Sequence, residues 1–270
     1  IGGAGSVHTA SLAIAGDMDA PAVANVESYN GTTWTEIADV NTVRGGLGGA
    51  GTQTAALAFG GEDEGGSKKN ETESWNGTSW TELGNLNTAR NLFGSGGVVN
   101  TNALAFGGGT PPGEVDNAES WNGTAWTEVG DLNTARNLLT GAGTNTSGLA
   151  ISGYVNPNGV GNVESWNGSS WTEVADVNTA VYGPGGTGVS NTSAIKMTGN
   201  SPSAQIGNTE TWNGTAWTEV ADVSTGRYFP GTAGVAGSAL SFGGAVNNSD
   251  VATTEEWTEP ILTTRSADTD

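Results

Sequence analysis

Residues 73–83 read ESWNGTSWTEL, and the same eleven-residue wording returns four more times along the chain. The copies are ESYNGTTWTEI at 27–37, ESWNGTAWTEV at 119–129, ESWNGSSWTEV at 164–174 and ETWNGTAWTEV at 210–220. Their second tryptophans are Trp34, Trp80, Trp126, Trp171 and Trp217, spaced by 46, 46, 45 and 46 residues. A fixed period in this range marks a repeat architecture, in which one supersecondary unit is stacked or arrayed many times. A shortened sixth copy runs Glu256-Trp257-Thr258-Glu259, then Ile261 and Thr264-Arg265. It aligns best with the WTEV segment and its closing arginine, placing Trp257 40 residues after Trp217.

Two further elements share the period. Six Gly-rich runs, such as GGAGTQTAALAFGG at 48–61, lead into a short apolar stretch ending in small residues. Closing segments read NTVR, NTAR, NTAR, NTAV, STGR and TTR. One unit therefore reads as four short strands. The first is the Gly-rich run, and the second is the ALAFGG segment. A variable loop leads to the third, which carries Glu-Ser-Trp. Asn-Gly then predicts a type I′ turn, because both residues tolerate positive φ. The fourth strand starts at the second Trp and runs to the arginine. Four strands in 45 or 46 residues make one propeller blade. The reading is all-β: a single six-bladed β-propeller over residues 1–265, four antiparallel strands per blade, with a tail at 266–270. Blade limits fall at 1–44, 45–90, 91–136, 137–181, 182–227 and 228–265. Small residues suit inner strands that converge on an axis. The ten tryptophans suit the layers between blades, where large rings dominate core energetics.

The glycine pair after an apolar strand, the aromatic, and the Trp about five residues later resemble the kelch motif over nearly the whole chain. The wording ESWNGTSWTEV followed by DLNTAR and TQTAALAFGG is similar to kelch-like repeat proteins of marine bacteriophages. The resemblance implies a propeller. It leaves function open, since one fold hosts many activities.

Composition narrows the function. Glycine is 45 of 270 residues, against a usual share of roughly 7%, without a collagen period. The 28 acidic and 8 basic residues give a net charge of −20. Nucleic-acid binding needs clustered Lys and Arg, so that partner is not expected. An anionic membrane surface is equally unfavoured, and no run of 18 apolar residues exists to insert in a bilayer. A strongly acidic surface stays soluble in salty water, which suits a marine or extracellular setting. Cysteine is absent, which removes disulfides, thiolate metal sites and cysteine nucleophiles.

Candidate chemistry is sparse. Copper-radical oxidases are similar kelch propellers that act through a cysteine-linked tyrosine and histidine ligands. This chain has no Cys and one histidine, His8, read here as a polar strand residue. The SWNGTSW string resembles the sialidase Asp-box, one residue short and with Asn for Asp. The arginines Arg44, Arg90, Arg136, Arg227 and Arg265 all occupy one repeat position, as expected for pairing with the Glu of strand 3. Glu27, Glu73, Glu119, Glu164, Glu210 and Glu255 precede the aromatic, while Glu36, Glu82, Glu128, Glu173, Glu219 and Glu259 follow the second Trp. A pair of acids can hydrolyse glycosides, but a catalytic pair breaks a repeat rather than recurring in it. Glu62-Asp63-Glu64 and Asp17/Asp19 are calcium candidates that match neither the EF-hand spacing nor the RTX repeat. Five of nine sequons carry the hairpin Asn, so turn chemistry explains them without glycan.

In a periodic protein the loops that vary are where binding is sought. The loop after strand 2 and the link between blades both vary, and alternating strand direction puts them on one face. That face carries Phe93, Tyr154, Tyr182, Tyr228, Phe229, Lys68 and Lys69 as candidate binding residues; plugging the channel mouth is the other role for its apolar members. Tyr182, Tyr228 and Phe229 are expected close together. No catalytic residue, metal or cofactor is expected. The expected function is a non-enzymatic adhesive or structural module on a phage virion or microbial surface. Its partner would be a glycan, a host-surface protein or another virion protein. A glycan-active hydrolase or lyase on the same scaffold is the alternative, and an intracellular kelch adaptor a third reading.

Overall fold

The computed structural model describes residues 1–16 and 22–259; Asp17, Asp19, Ile261, Thr264 and Arg265 lie outside these. The protein is a six-bladed β-propeller, and its described regular structure is entirely β. In blade 2, Gly48–Thr52, Ala55–Phe59, Thr72–Trp75 and Trp80–Glu82 form one antiparallel sheet in chain order. Blades 1, 3, 4 and 5 repeat this arrangement. Blade 6 contributes Gly231–Val235, Ser238–Phe242 and Thr254–Thr258 as the described strands of its blade sheet.

The innermost strands form a closed circle, with Gly231–Val235 packed against Gly2–Val7. Glycine is demanded by the closeness of these backbones. A Cβ on Gly49 would sit 2.4 Å from the carbonyl oxygen of Gly3, and one on Gly3 would sit 2.3 Å from that of Thr232. Closure uses side chains as well as packing. The Tyr29 hydroxyl donates to Glu256 (3.0 Å), and the Trp34 indole donates to Thr254 Oγ1 (2.9 Å). His8 lies in the turn between strands 1 and 2, not in a strand, and bonds Ser238 of blade 6.

The Asn-Gly hairpin differs from the expected two-residue turn. Trp75 pairs directly with Trp80, leaving residues 76–79 as a four-residue loop. Gly77 takes φ +92°, while Asn76 is not among the positive-φ residues. Instead, the Asn76 Oδ1 accepts the backbone N–H groups of Thr78 (2.9 Å) and Ser79 (3.0 Å). Asn30, Asn122, Asn167 and Asn213 do the same. The side chain thus replaces a turn hydrogen bond, a common use of Asn. The loop length is what brings the two tryptophans opposite one another, with ring centroids 5.4 Å apart.

These tryptophans fill the space between blades. Trp126 of blade 3 packs on Phe59 of blade 2 at 4.8 Å and donates its indole N–H to Thr72 Oγ1 at 2.9 Å. Trp80 and Trp217 reach the preceding blade through the carbonyls of Ala38 and Ala175. Trp257 corrects the sequence alignment. It pairs with Ala239, the register held by the third-strand tryptophans Trp75 and Trp121 against Ala56 and Ala103. Glu255 is therefore the third-strand glutamate of blade 6, and Glu259 is not a fourth-strand counterpart of Glu82. The Trp257 indole nevertheless donates to Ala221 of blade 5, the bond that fourth-strand tryptophans make elsewhere. A ring anchored on strand 3 has taken over the job of one anchored on strand 4, so the sequence spacing misled.

The fourth strand ends within three or four residues, and the NTxR segment leaves it to grip the next blade. The Glu73 carboxylate accepts the backbone N–H groups of Asn41 (2.6 Å) and Thr42 (3.2 Å) and a guanidinium bond from Arg44 (3.0 Å). Arg44 also donates to the carbonyls of Glu71 and Ala58. Arg90–Glu119 and Arg136–Glu164 repeat the clamp at 3.0 and 2.9 Å, and Arg227–Glu255 repeats it between blades 5 and 6. Arg44, Arg90 and Arg136 are fully buried. Burial pushes their guanidinium groups below the ordinary value, and the partner glutamates oppose that shift.

Between blades 4 and 5 the arginine position holds Val181, and the cation comes from elsewhere. Lys196, on the second strand of blade 5, occupies the place of Ala58, Ala105 and Ala150. Its Nζ lies 3.5 Å from Glu210 and 3.5 Å from the Asn208 carbonyl, the counterpart of the Glu71 carbonyl that Arg44 reaches. Both Val181 and Lys196 are fully buried. The charge is conserved in space while its residue moves from one side of the blade interface to the other.

Two stability outcomes follow from this packing. Trp126→Ala should cost about 3–5 kcal/mol in chemical denaturation, the range for a buried ring. An unchanged unfolding midpoint would mean the ring is not holding blades 2 and 3. Lys196→Ala should cost about 3–5 kcal/mol by leaving Glu210 buried without a cation. Adding Val181→Arg to that variant should restore most of the loss, because it rebuilds the Arg/Ala arrangement of the other interfaces. A double variant no more stable than Lys196→Ala would show that the two positions are not exchanged parts of one clamp.

Candidate functional site

The face expected to vary is built as one surface by backbone hydrogen bonds. In each of five blades the link from the previous blade pairs with the loop after strand 2: Gly45 with Glu62, Asn91 with Gly109, Asn137 with Tyr154, Tyr182 with Asn200 and Tyr228 with Ala245. Each pairing fixes a variable loop against a variable link. Two-residue ribbons extend three of the loops, at Gly109–Thr110 with Gly113–Glu114, Tyr154–Val155 with Asn158–Gly159, and Ala245–Val246 with Ser249–Asp250.

A belt of peptides runs round the mouth of the central channel on this face. The backbone N–H of Leu92 donates to Gly46 (2.9 Å), Leu138 to Leu92 (2.7 Å), Gly183 to Leu138 (2.8 Å) and Phe229 to Gly183 (2.8 Å). All five residues adopt left-handed backbone, with φ between 53° and 62°. Glycine takes this conformation freely, but Leu92, Leu138 and Phe229 do so at a cost. The bonds between consecutive blades offset that cost and make the rim a single connected structure. The channel inside encloses about 460 Å³, walled by inner-strand backbone and by mouth residues including Leu92, Leu138 and Phe229.

The candidate residues are placed differently from one another. Phe93 is a core residue, 7% exposed and packed on Phe59 with centroids 5.8 Å apart. Its burial withdraws it from any exposed binding set. Lys68 and Lys69 pair within their own loop, Lys68 with Glu62 and Lys69 with Asp63, the latter at 2.9 Å. The hydrogen bond from Lys69 and the Ser67 N–H hold the Asp63 carboxyl below its ordinary value, and the bond to Asp63 raises Lys69. Two of the three carboxylates proposed as a calcium cluster are thereby engaged by lysines.

The other aromatics are half-buried and form two pairs rather than one cluster. Tyr154 meets Tyr182 edge to face with centroids 5.6 Å apart, and Tyr228 meets Phe229 at 4.8 Å. Phe229 also lies over Gly183, beside Tyr182. The Tyr228 hydroxyl donates to Asn248 Oδ1 at 2.8 Å.

Between the loops of blades 4, 5 and 6 this face opens into a groove of about 880 Å³. Its lining includes Tyr154 and Asn158 from blade 4, Tyr182 from the link into blade 5, Asn200, Ser201, Ser203 and Gln205 from the blade 5 loop, and Asn247 from the blade 6 loop. Sequence reasoning found the tyrosines through their break in the repeat. It passed over the amides and serines, because Asn and Ser are common in every loop of this chain and only the fold brings these few together. It also passed over Lys196. The signal was present there: the one NTxV segment coincides with the one lysine in a second strand.

No protein-family model matches the chain, and no curated protein matches it.

Tyr154 sits on a ribbon outside the blade core, so Tyr154→Ala should shift stability by under about 1 kcal/mol, the usual size of a surface change. Thermal unfolding checks this, and a loss comparable to Trp126→Ala would make the tyrosine part of the core.

Proposed function

We propose that this protein is a non-enzymatic adhesive or structural propeller of the kelch kind, displayed on a phage virion or microbial surface. It binds a glycan or protein partner through the face carrying the variable loops. One observation carries this reading. The repeated third-strand glutamates and closing cations are used up in holding blades together, and what does not repeat is gathered on one face. Glu73, Glu119, Glu164 and Glu210 are each buried and each bound to a cation and to backbone N–H groups. A carboxylate so engaged is poorly suited to donate or accept a substrate proton, which needs a group within reach of the substrate. This weighs against the third-strand glutamates as the acids of the hydrolase alternative.

The net charge of −20 argues for a partner other than nucleic acid. It also fits a protein facing salty water rather than a basic ligand-binding cleft. The similarity in wording to marine phage kelch-like proteins supports display on a virion.

Immunogold labelling of the source particle or cell with antibody to the purified propeller should decorate its surface. The labelled protein should also attach to host cells, and a Tyr182→Ala/Tyr228→Ala/Phe229→Ala variant that keeps its circular dichroism should attach at least tenfold more weakly. Unchanged attachment would leave these aromatics as a plug of the channel mouth and remove the face from the proposal.

A further inference from the structure

The groove between the loops of blades 4, 5 and 6 has a composition at odds with the rest of the molecule. The chain carries 28 acidic residues, yet among the described residues no Asp, Glu, Lys or Arg lines this groove. Its polar groups are the amides of Asn158, Asn200, Gln205 and Asn247 and the hydroxyls of Ser201 and Ser203. Its apolar members include the rings of Tyr154 and Tyr182, beside Pro157, Pro202 and Val246. An amide offers a donor and an acceptor side by side, and a hydroxyl offers both from one atom. That set matches a ligand bearing many hydroxyls, each of which must also donate and accept. A charged ligand would find no counter-charge here and would lose hydration on entering.

The tyrosines supply the second half of such a site. Meeting edge to face, with centroids 5.6 Å apart, they are two differently oriented rings in the groove lining. Aromatic faces pair with the C–H faces of a pyranose by dispersion and by burial of apolar area, while the ring hydroxyls point to the sides. The volume of about 880 Å³ falls within the roughly 300–1,000 Å³ of pockets that enclose small ligands, enough for a few sugar rings.

The walls are also held in place before any ligand arrives. Asn200 donates to the Tyr182 hydroxyl, tying the blade 5 loop to the link beside it. The Asn247 N–H donates to Gln205 Oε1 at 2.9 Å, tying the blade 6 loop to that of blade 5. Tyr154 is tied by its backbone to Asn137. Loops fixed in this way lose less freedom on binding, which favours affinity for a weakly interacting ligand.

From this composition and geometry we infer that the groove binds a short stretch of neutral saccharide, stacked on Tyr154 and Tyr182 and hydrogen-bonded by Asn158, Asn200, Ser203 and Gln205. The inference rests on the reading of this face as a binding surface and names its ligand class. Acidic sugars are disfavoured by the field of a chain with net charge −20. Cationic peptides find no carboxylate in the groove.

The test is a glycan array spanning neutral and acidic oligosaccharides, probed with the labelled protein and followed by calorimetric titration of the strongest neutral binder. Binding confined to neutral glycans is expected, weakened at least tenfold by Tyr154→Ala and by Tyr182→Ala. Thr81→Ala, exposed on the fourth strand of blade 2, should bind as the parent does. Should the tyrosine variants misfold, Asn158→Ala and Ser203→Ala change exposed residues of the same groove and should each weaken binding at least threefold. Binding of acidic glycans alone, binding of none, or unaltered affinity in the folded groove variants would overturn the inference. An array without binding beside intact cell attachment would refute the saccharide and leave a protein partner on the same face. Loss of both would remove the binding reading as well.

Discussion

The fold depends on an ion pair that, among the described residues, is used again at the five seams joining blades 1 to 6 in chain order. A carboxylate on the third strand of one blade is met by the NTxR segment of the blade before it, with two backbone N–H groups and a guanidinium converging on one glutamate. A charge buried in this way is costly alone and is tolerated because a cation and backbone donors converge on it. Removing any one partner leaves the others stranded. The requirement explains why the closing arginine recurs with the same period as the tryptophans, and why the segment before it begins with Asn, whose side chain also reaches the glutamate or the neighbouring tryptophan carbonyl.

The exchange at Val181 and Lys196 shows what is constrained and what is free. The seam needs a cation beside the glutamate and room for its stem. It does not need the cation to arrive from the preceding blade. Lys196 approaches from the second strand of the same blade as Glu210, in the space an alanine leaves elsewhere, and the small Val181 fills what the arginine vacates. Trp257 makes the same point with an apolar group. Its backbone sits in third-strand register, yet its indole reaches the carbonyl that a fourth-strand tryptophan takes elsewhere. In both cases the contact persists while the residue that supplies it changes place.

With the repeated positions committed to the seams, the link peptides and second-strand loops are released to vary, but they are not loose. The belt of peptide bonds at the channel mouth and the pairing of each link with its loop make a stiff rim. Variation on a connected rim creates a shaped surface, and the neutral groove beside blades 4, 5 and 6 is one hollow in it. Binding residues set on such a scaffold keep their geometry without ligand, at the local cost of left-handed backbone at Leu92, Leu138 and Phe229.

The blade count, the order of strands within a blade, the pairing of arginine with the third-strand glutamate and the common face of loops and links were all legible in the sequence. Each follows from local period: small residues where backbones converge, an Asn-Gly turn between two tryptophans, and alternating strand direction. What only the tertiary structure decided involves residues distant in sequence. Period alone cannot say that the Asn side chain lengthens the hairpin to four residues, since that depends on Trp75 and Trp80 facing each other across the sheet. It cannot place Phe93 inward against Phe59, nor assign Lys196 to the seam that Val181 left without a cation. Nor can it assemble Tyr154, Asn200 and Asn247 into one groove, because they come from three blades and meet only when those neighbouring blades pack together.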